Sequence, residues 1–186
     1  MFFARDVVSA DRPGTHLAVA PMASMTRFAG DPVAVLQPNA DWQIYERNRP
    51  LYDKTWDAWH TIEGPAVIYR DGKYWCFYSG GNWQTPGYGV GCAVAEDLRG
   101  PYVDEHSEEA AGVLKSIPGE LIGPGHNSVI LGPDGKTYFI VYHSWNEARS
   151  ARQICMDPLI WTEEGPKAYQ PSRGRKEVTL PLGEQR

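Results

Sequence analysis

The strongest constraint on the fold is an internal repeat in the middle and C-terminal parts of the sequence. The tripeptide Asp71-Gly72-Lys73 recurs as Asp134-Gly135-Lys136, at an offset of 63 residues. The same offset relates three further pairs of residues: Val67 and Ile130, Cys92 and Cys155, and Glu63 and His126. Each copy contains a polar residue, a short apolar run, the Asp-Gly-Lys turn, an aromatic run and a third apolar run. Strand units that repeat every few tens of residues are typical of β-propeller blades.

The composition and the short runs predict an all-β chain. The sequence contains 7 Trp, 10 Tyr, 19 Gly and 15 Pro, a mixture of strand-forming aromatics and turn formers. An Asp-Gly pair between two such runs favours a hairpin, because it tolerates the positive φ angles of a type I′ turn. A fourth, outer strand is expected near Tyr102 in one copy and near Tyr169 in the other. The six predicted strands are Ala66–Tyr69, Tyr74–Tyr78, Gly89–Ala95, Ser128–Leu131, Tyr138–His143 and Gln153–Met156.

The N-terminal part resembles the end of another repeat. Phe2–Arg5 is similar to the aromatic run at Cys76–Ser79, and Gly14–Ala20 is similar to Gly89–Ala95. The inner strand that should precede Phe2 is not in the sequence. We therefore expect about two and a half blades, fewer than the roughly 4–8 of a closed propeller.

These units predict one partial propeller domain with five parts. Residues 1–36 form the end of one blade, and residues 37–61, rich in Pro, Asn and Trp, form an irregular connection. Residues 62–105 and 106–171 form the next two blades. Residues 172–186 form a charged, proline-bearing tail.

Charge and hydrophobic patterning exclude several classes of partner. The 18 Lys and Arg against 23 Asp and Glu give a net charge of −5, whereas nucleic-acid binders carry a basic surface. No apolar run reaches the ~18–20 residues of a membrane-spanning helix. The N-terminus has no basic region followed by an apolar stretch, so we expect a cytoplasmic protein. Cys76, Cys92 and Cys155 lie in apolar runs without a CxxC pair, which predicts buried free thiols rather than disulfides or a zinc site.

Glu63 and His126 are the first candidates for chemistry. In a propeller the first residue of each innermost strand faces the axial channel, and these two residues occupy that position in their repeats. Repeats agree where the fold requires it and differ where a shared site needs different groups. The alternative is structural: Glu63 would be an exposed charge at a strand start, and His126 a capped loop histidine.

Three groups of motifs resemble glycoside hydrolase family 43. The first is Thr61–Val67 with the aromatic run at Gly72–Gly81. The second is Gly123–Val129 followed by Tyr138–His143. The third, Asp157–Trp161 with Gly165-Pro166, looks like the last blade of that family. The resemblance extends from about Phe2 to Pro171. The combination of Glu-Gly-Pro and Gly-Pro-Gly-His-Asn-Ser is more specific than either motif alone.

The resemblance implies a five-bladed propeller that hydrolyses arabinofuranosides or xylosides with inversion, on saccharides derived from plant polysaccharides. By the family pattern, Glu63 would be the general acid. His126 would lie on the axis, near a calcium or other metal ion held through water; no organic cofactor is implied. Arg152 is the best match to the arginine that reaches the substrate, with Arg149 second.

Aromatic and basic residues near these motifs are candidates for substrate binding. Trp83 and Trp145, like Trp59, would either stack against sugar faces or pack between blades. His60, close before Glu63, would line the pocket. His16 and His106 are expected at the surface.

The sequence departs from the family pattern in its carboxylates. The family's catalytic base and a second Asp that tunes the acid begin blades that would lie before Met1, and no Asp of the sequence occupies a matching motif. Two explanations remain open: a truncated protein that binds carbohydrate without efficient turnover, or copies that assemble a complete site. Exposed blade faces and strand edges favour association, most simply a two-fold dimer. A protein-interaction propeller is a third alternative.

Overall fold

The computed structural model describes residues 1–104, 109–175, 177 and 179. Within these residues the chain forms strands, one short 3₁₀ helix and no α-helix, which confirms the predicted all-β class. The elements are β1 (Phe2–Val7), β2 (Gly14–Val19), β3 (Met22–Ser24), β4 (Arg27–Phe28), β5 (Val33–Leu36), the 3₁₀ helix (Asp41–Gln43), β6 (Ile44–Leu51), β7 (Lys54–Arg70), β8 (Lys73–Gly80), β9 (Gly89–Ala95), β10 (Ile122–Leu131), β11 (Tyr138–Trp145), β12 (Arg152–Thr162) and β13 (Gly165–Ala168).

The first copy of the repeat forms an antiparallel sheet of β7, β8 and β9. The predicted turn joins β7 to β8, and Asp71 and Gly72 both have positive φ angles, 52° and 79°. This is the backbone that a two-residue type I′ hairpin requires. The expected fourth strand is reduced to a single bridge between Val94 and Val103.

The second copy forms a four-stranded antiparallel sheet in the order β10-β11-β12-β13. Its fourth strand, β13, lies just before the predicted position at Tyr169. The offset of 63 residues paired Cys92 with Cys155, and this match was wrong by two residues. Cys92 pairs with Phe77 on the neighbouring strand. The residue equivalent to Phe77 in the second copy is Ile140, and it pairs with Asp157. The β11–β12 hairpin is longer than the β8–β9 hairpin, and this shifts the third strand.

The N-terminal strands β1, β2 and β5 pair in antiparallel fashion. The prediction of an irregular connection at residues 37–61 was wrong. Strands β6 and β7 form a long hairpin there, closed at Tyr52 and Asp53, whose φ angles are positive. A two-residue parallel pairing of β2 with β7 joins this hairpin to the N-terminal sheet. The Tyr-Asp turn carries none of the glycine that marks a tight hairpin in sequence, which is why the strands were missed.

Two apolar clusters lie between successive sheets. One joins the N-terminal sheet to the β7–β9 sheet and includes Leu17, Ile62 and Cys76. The other joins the β7–β9 sheet to the last sheet and includes Phe77 and Ile140. The sheets are therefore stacked face to face, and the inner strands β7 and β10 lie near each other, with contacts between them.

The three cysteines are free thiols, as predicted, and Cys76 and Cys155 are buried. Across the described residues, no helix has the length and apolar character to span a bilayer.

Candidate active site

Glu63 lies on β7 at a break in the β7–β8 ladder. The register shifts between Glu63 and Ala66, and Gly64 between them has a φ of 58°. This left-handed backbone suits glycine, and a side chain here would approach the His126 ring at 3.4 Å. The Glu-Gly-Pro motif thus forms a bulge that redirects the Glu63 side chain, whose exposed fraction is 28%.

His126 occupies a matching irregularity on β10. The β10–β11 register shifts on both sides of Gly125, and His126 itself has a φ of 53°. Its amide donates a hydrogen bond to Ser79 Oγ at 2.7 Å, which satisfies a backbone group that the broken ladder leaves free. Its Nδ1 lies 4.0 Å from Glu63 Oε1, and 58% of its side chain is exposed. The structure therefore brings the two predicted repeat positions together.

Tyr88 is a site residue that the sequence analysis missed. Its hydroxyl donates to Glu63 Oε1 at 2.8 Å, and the residue is only 1% exposed. Burial, followed by the charge of Glu63, raises the pKa of Tyr88, so the phenol remains a protonated donor. The repeat contains no signal for it, because the offset of 63 carries Tyr88 onto Ala151 in a loop.

His143 on β11 is the second residue that was missed. Its ring stacks on Tyr88 with an interplanar angle of 8° and a centroid distance of 5.8 Å. Its Nε2 lies 3.3 Å from Arg152 Nη1, and its Nδ1 is buried without a hydrogen-bond partner. Burial, together with the positive charge of Arg152, lowers the pKa of His143 to about 4. His143 is therefore neutral near pH 7 and accepts a hydrogen bond from the arginine.

Arg152 and two tryptophans form an aromatic platform beside these histidines. The Trp83 and Trp145 rings stack at 5.9 Å with an interplanar angle of 15°. The Arg152 guanidinium lies 4.7 Å from the Trp83 ring centroid and 6.0 Å from that of Trp145. Both rings are partly exposed, and flat aromatic surfaces beside a charged group suit a sugar. Arg149 is turned away from this group and donates to the Gln84 carbonyl.

A shallow cleft of about 730 Å³ opens on this side of the last sheet. His126, His143 and Arg152 line it, together with the apolar Ile154. His126, the neighbour of Glu63, and Arg152, the neighbour of the two tryptophans, both lie on this cleft.

His60 does not join this group. It is buried, and its Nε2 lies 3.0 Å from Arg12 Nη1, while Arg12 also pairs with Asp41 at 2.8 Å. His16, expected at the surface, is also buried, and its Nε2 bonds to the Arg12 carbonyl. Burial lowers the pKa of both histidines. The β6–β7 hairpin, absent from the sequence-based prediction, is what covers His60.

Trp59 and His106 complete the set of predicted residues. Trp59 is buried and packs edge-on against Trp56 at 5.5 Å, which is the packing alternative. His106 lies outside the described residues.

The described residues do not fit a metal site at His126. No three His, Cys, Asp or Glu side chains come together in the part of the chain that the structure describes. Calcium takes six to eight oxygen ligands, and His126 has one carboxylate neighbour, Glu63. In the described contacts of Tyr88, His126, His143 and Arg152 there is also no second carboxylate.

Comparison with known proteins assigns this arrangement to a family. Residues 26–166 match the sequence model of glycosyl hydrolases family 43, a segment that contains Glu63, Tyr88, His126 and Arg152. The chain belongs to glycoside hydrolase family 43. Its blades are thus blades of the family 43 propeller, as the motifs implied.

Individual relatives agree with this assignment. A β-D-galactofuranosidase of Aspergillus niger is 35% identical over 107 residues, which are 56% of this chain and 30% of the relative. An extracellular exo-α-(1→5)-L-arabinofuranosidase of Streptomyces avermitilis is 29% identical over 153 residues, 81% of this chain and 28% of the relative. The chain thus spans about 30% of the length of these family members.

Solved family structures superpose on nearly the whole chain. A thermostable family 43 glycoside hydrolase has a TM-score of 0.75 at 30% identity and covers 95% of this chain, which spans 55% of that structure. An α-L-arabinofuranosidase from Lactobacillus brevis has a TM-score of 0.70 at 25% identity, with 94% of this chain and 53% of that structure covered. The chain therefore corresponds to about half of a complete family 43 propeller.

Proposed function

We propose that this chain contributes the general acid of a glycosidase that hydrolyses arabinofuranosyl or xylosyl linkages with inversion. Its substrates would be pentose saccharides derived from plant polysaccharides. The observation that carries the proposal is the Glu63 carboxyl, which lies at an inner-strand bulge between Tyr88 and His126. Family 43 membership and the arabinofuranosidase and galactofuranosidase relatives support the substrate class.

The chemistry requires a proton donor and an activated water. Glu63 would protonate the glycosidic oxygen while the bond from that oxygen to the anomeric carbon breaks. A second carboxylate would take a proton from the attacking water; in inverting enzymes it stands about 6.5–9.5 Å from the acid. The described contacts of the site supply the proton donor, Glu63. We propose that a further segment or a second copy supplies the second carboxylate.

Aryl glycosides test the proposal directly. We expect the wild-type chain to release nitrophenol from an aryl arabinofuranoside, xyloside or galactofuranoside, and Glu63→Ala to abolish that release. Glu120→Ala, at an exposed glutamate of the loop before β10, is the matched control and should retain full activity. Activity that persists in Glu63→Ala would remove Glu63 from the mechanism. The anomeric configuration of the first product, followed by proton NMR, separates inversion from retention.

Carbohydrate binding without turnover is the second candidate. The stacked Trp83–Trp145 pair with Arg152 beside it favours this function, because partly exposed aromatic rings can bind a sugar without a catalytic base. Calorimetry with arabinose and xylose oligomers would support this function if heat of binding appears without product. Trp83→Ala should then abolish the binding signal.

Self-association also remains a proposal. The face of the last sheet that bears the cleft exposes Ile154 at 83% and Met156 at 58%, a surface that another sheet would cover. We propose a two-fold dimer, to be tested by analytical ultracentrifugation at micromolar concentration. A monomer there would refute the dimer.

A further inference from the structure

A buried tyrosine holds one oxygen of the Glu63 carboxyl. Tyr88 Oη donates to Glu63 Oε1 at 2.8 Å. Tyr88 is 1% exposed, so water does not compete for its hydroxyl.

The direction of this hydrogen bond follows from the two groups that form it. Burial raises the pKa of Tyr88, so its hydroxyl keeps its proton, and a Glu63 oxygen that carries no proton can only accept. A hydrogen bond of this kind is stronger in a buried environment than in water.

The Tyr88 ring is held in place independently of its hydroxyl. Gly125 passes so close to the ring that an added Cβ would lie 2.1 Å from Tyr88 Cε1. His143 stacks on the ring face. The hydroxyl therefore has one direction available, toward Glu63.

We propose that Tyr88 is a positioning residue that assigns the two oxygens of Glu63 different tasks. This inference rests on the proposed role of Glu63 as the acid. Oε1 receives the hydrogen bond of Tyr88, and the contact with His126 is also at Oε1. Oε2 is left to carry the proton. When the Oε2–H bond breaks and the proton passes to the glycosidic oxygen, negative charge develops on the carboxylate. The Tyr88 donor already points at it and strengthens as the charge forms.

The leaving group of an aryl glycoside reveals this role. A para-nitrophenol departs with little need for a proton, whereas a para-methoxyphenol needs full protonation. On whichever sugar the wild-type chain hydrolyses, Tyr88→Phe should lower kcat/KM about 10-fold or more for the methoxyphenyl glycoside and about 2-fold for the nitrophenyl one, since acid catalysis contributes about 10²–10⁴-fold.

Tyr142→Phe is the matched control. Tyr142 is also a buried tyrosine, and its hydroxyl donates to Asp157 Oδ2 at 2.6 Å in the core of the last sheet. Its loss should reduce stability without changing the ratio of the two leaving groups. Equal losses on both substrates in Tyr88→Phe would overturn the inference, because only general structural damage acts equally on both.

A measurement without turnover separates this inference from the proposed function. Urea midpoints of Tyr88→Phe, Glu63→Ala and the double variant report whether the two side chains are coupled. We expect Tyr88→Phe to lower the midpoint in the wild-type background and to leave it nearly unchanged in Glu63→Ala. Additive shifts would overturn the inference in an active or an inactive chain. A wild-type chain that hydrolyses no aryl glycoside, with coupled midpoints, would refute the proposed hydrolase and leave the positioning of Glu63 supported.

Discussion

Gly125→Ala tests the packing that holds the candidate acid. The φ of Gly125 lies outside the left-handed region, so alanine adds no backbone strain and its whole effect comes from one methyl group. That methyl would lie 2.1 Å from Tyr88 Cε1 and 2.6 Å from Cδ1, whereas ordinary contacts begin at 3.4 Å. The ring must move by more than 1 Å relative to β10. Its bond of 2.8 Å to Glu63 does not survive such a displacement.

Two contributions set the size of the effect. Overpacking of a filled core costs about 1–3 kcal/mol, and the lost hydrogen bond costs about 0.5–1.5 kcal/mol. We therefore expect a loss of about 2–4 kcal/mol in the free energy of unfolding. For a domain of this size each kcal/mol lowers Tm by roughly 2–4 °C, so the expected decrease is about 5–15 °C.

Thermal unfolding followed by near-ultraviolet circular dichroism measures this decrease. Gly30→Ala is the control: its added Cβ would meet only Pro21 Cγ at 3.5 Å, an ordinary contact, and Tm should change little. Combining Gly125→Ala with Tyr88→Ala removes the clashing ring, so the added methyl should then cost little further stability. If Gly125→Ala has the same Tm as the Gly30→Ala control, the placement of Tyr88 against β10 is refuted.

Three further predictions concern stability and the buried groups. Burial lowers the pKa of His143 to about 4, whereas the pKa of the same histidine in the unfolded chain is about 6.5, so the unfolded chain binds the proton first as pH decreases. The free energy of unfolding should therefore fall between these two pH values, and it should fall less in His143→Gln. Urea midpoints measured across this pH range test the difference. Burial raises the pKa of Cys76 to about 12, so Ellman's reagent should label it only after denaturation, and rapid labelling of the native chain would contradict this. Ile140→Ala, at a residue with 0% exposure, should cost about 2–5 kcal/mol in chemical denaturation. Met25→Ala, with 96% exposure, should stay within about 0.5 kcal/mol, and equal losses would contradict the assigned core.

The repeat was sufficient to predict the strands of its two copies and to pair Glu63 with His126. Both rest on short-range signals: the Asp-Gly turns, the aromatic runs and a constant offset between equivalent residues. The same argument failed for the third strand, where Asp157 rather than Cys155 takes the position of Cys92. An offset derived from one strand does not hold once a hairpin gains residues.

Tyr88 and His143 show what the repeat could not reveal. Tyr88 precedes β9 in a loop, so no periodicity marks it, and its role depends on a glycine of another sheet. His143 lies within a predicted strand, but its contact with Tyr88 follows from how two sheets stack. The prediction that His60 lines the pocket was wrong for a similar reason. His60 lies in the β6–β7 hairpin, which has no turn signal in the sequence. Contacts between sheets are set by tertiary packing, which local patterns do not contain.

The two bulges explain why equivalent positions can carry chemistry. In a regular ladder the amide of His126 would bond to the neighbouring strand; at its φ of 53° the amide turns instead to Ser79 of the adjacent sheet. At the same bulge Gly125 packs against the Tyr88 ring, and Tyr88 donates to Glu63. The irregular geometry of β10 in one blade thus helps to position a carboxyl in the other. The described neighbours of Glu63 all come from these two blades. A carboxylate that activates the attacking water would have to come from outside their described contacts.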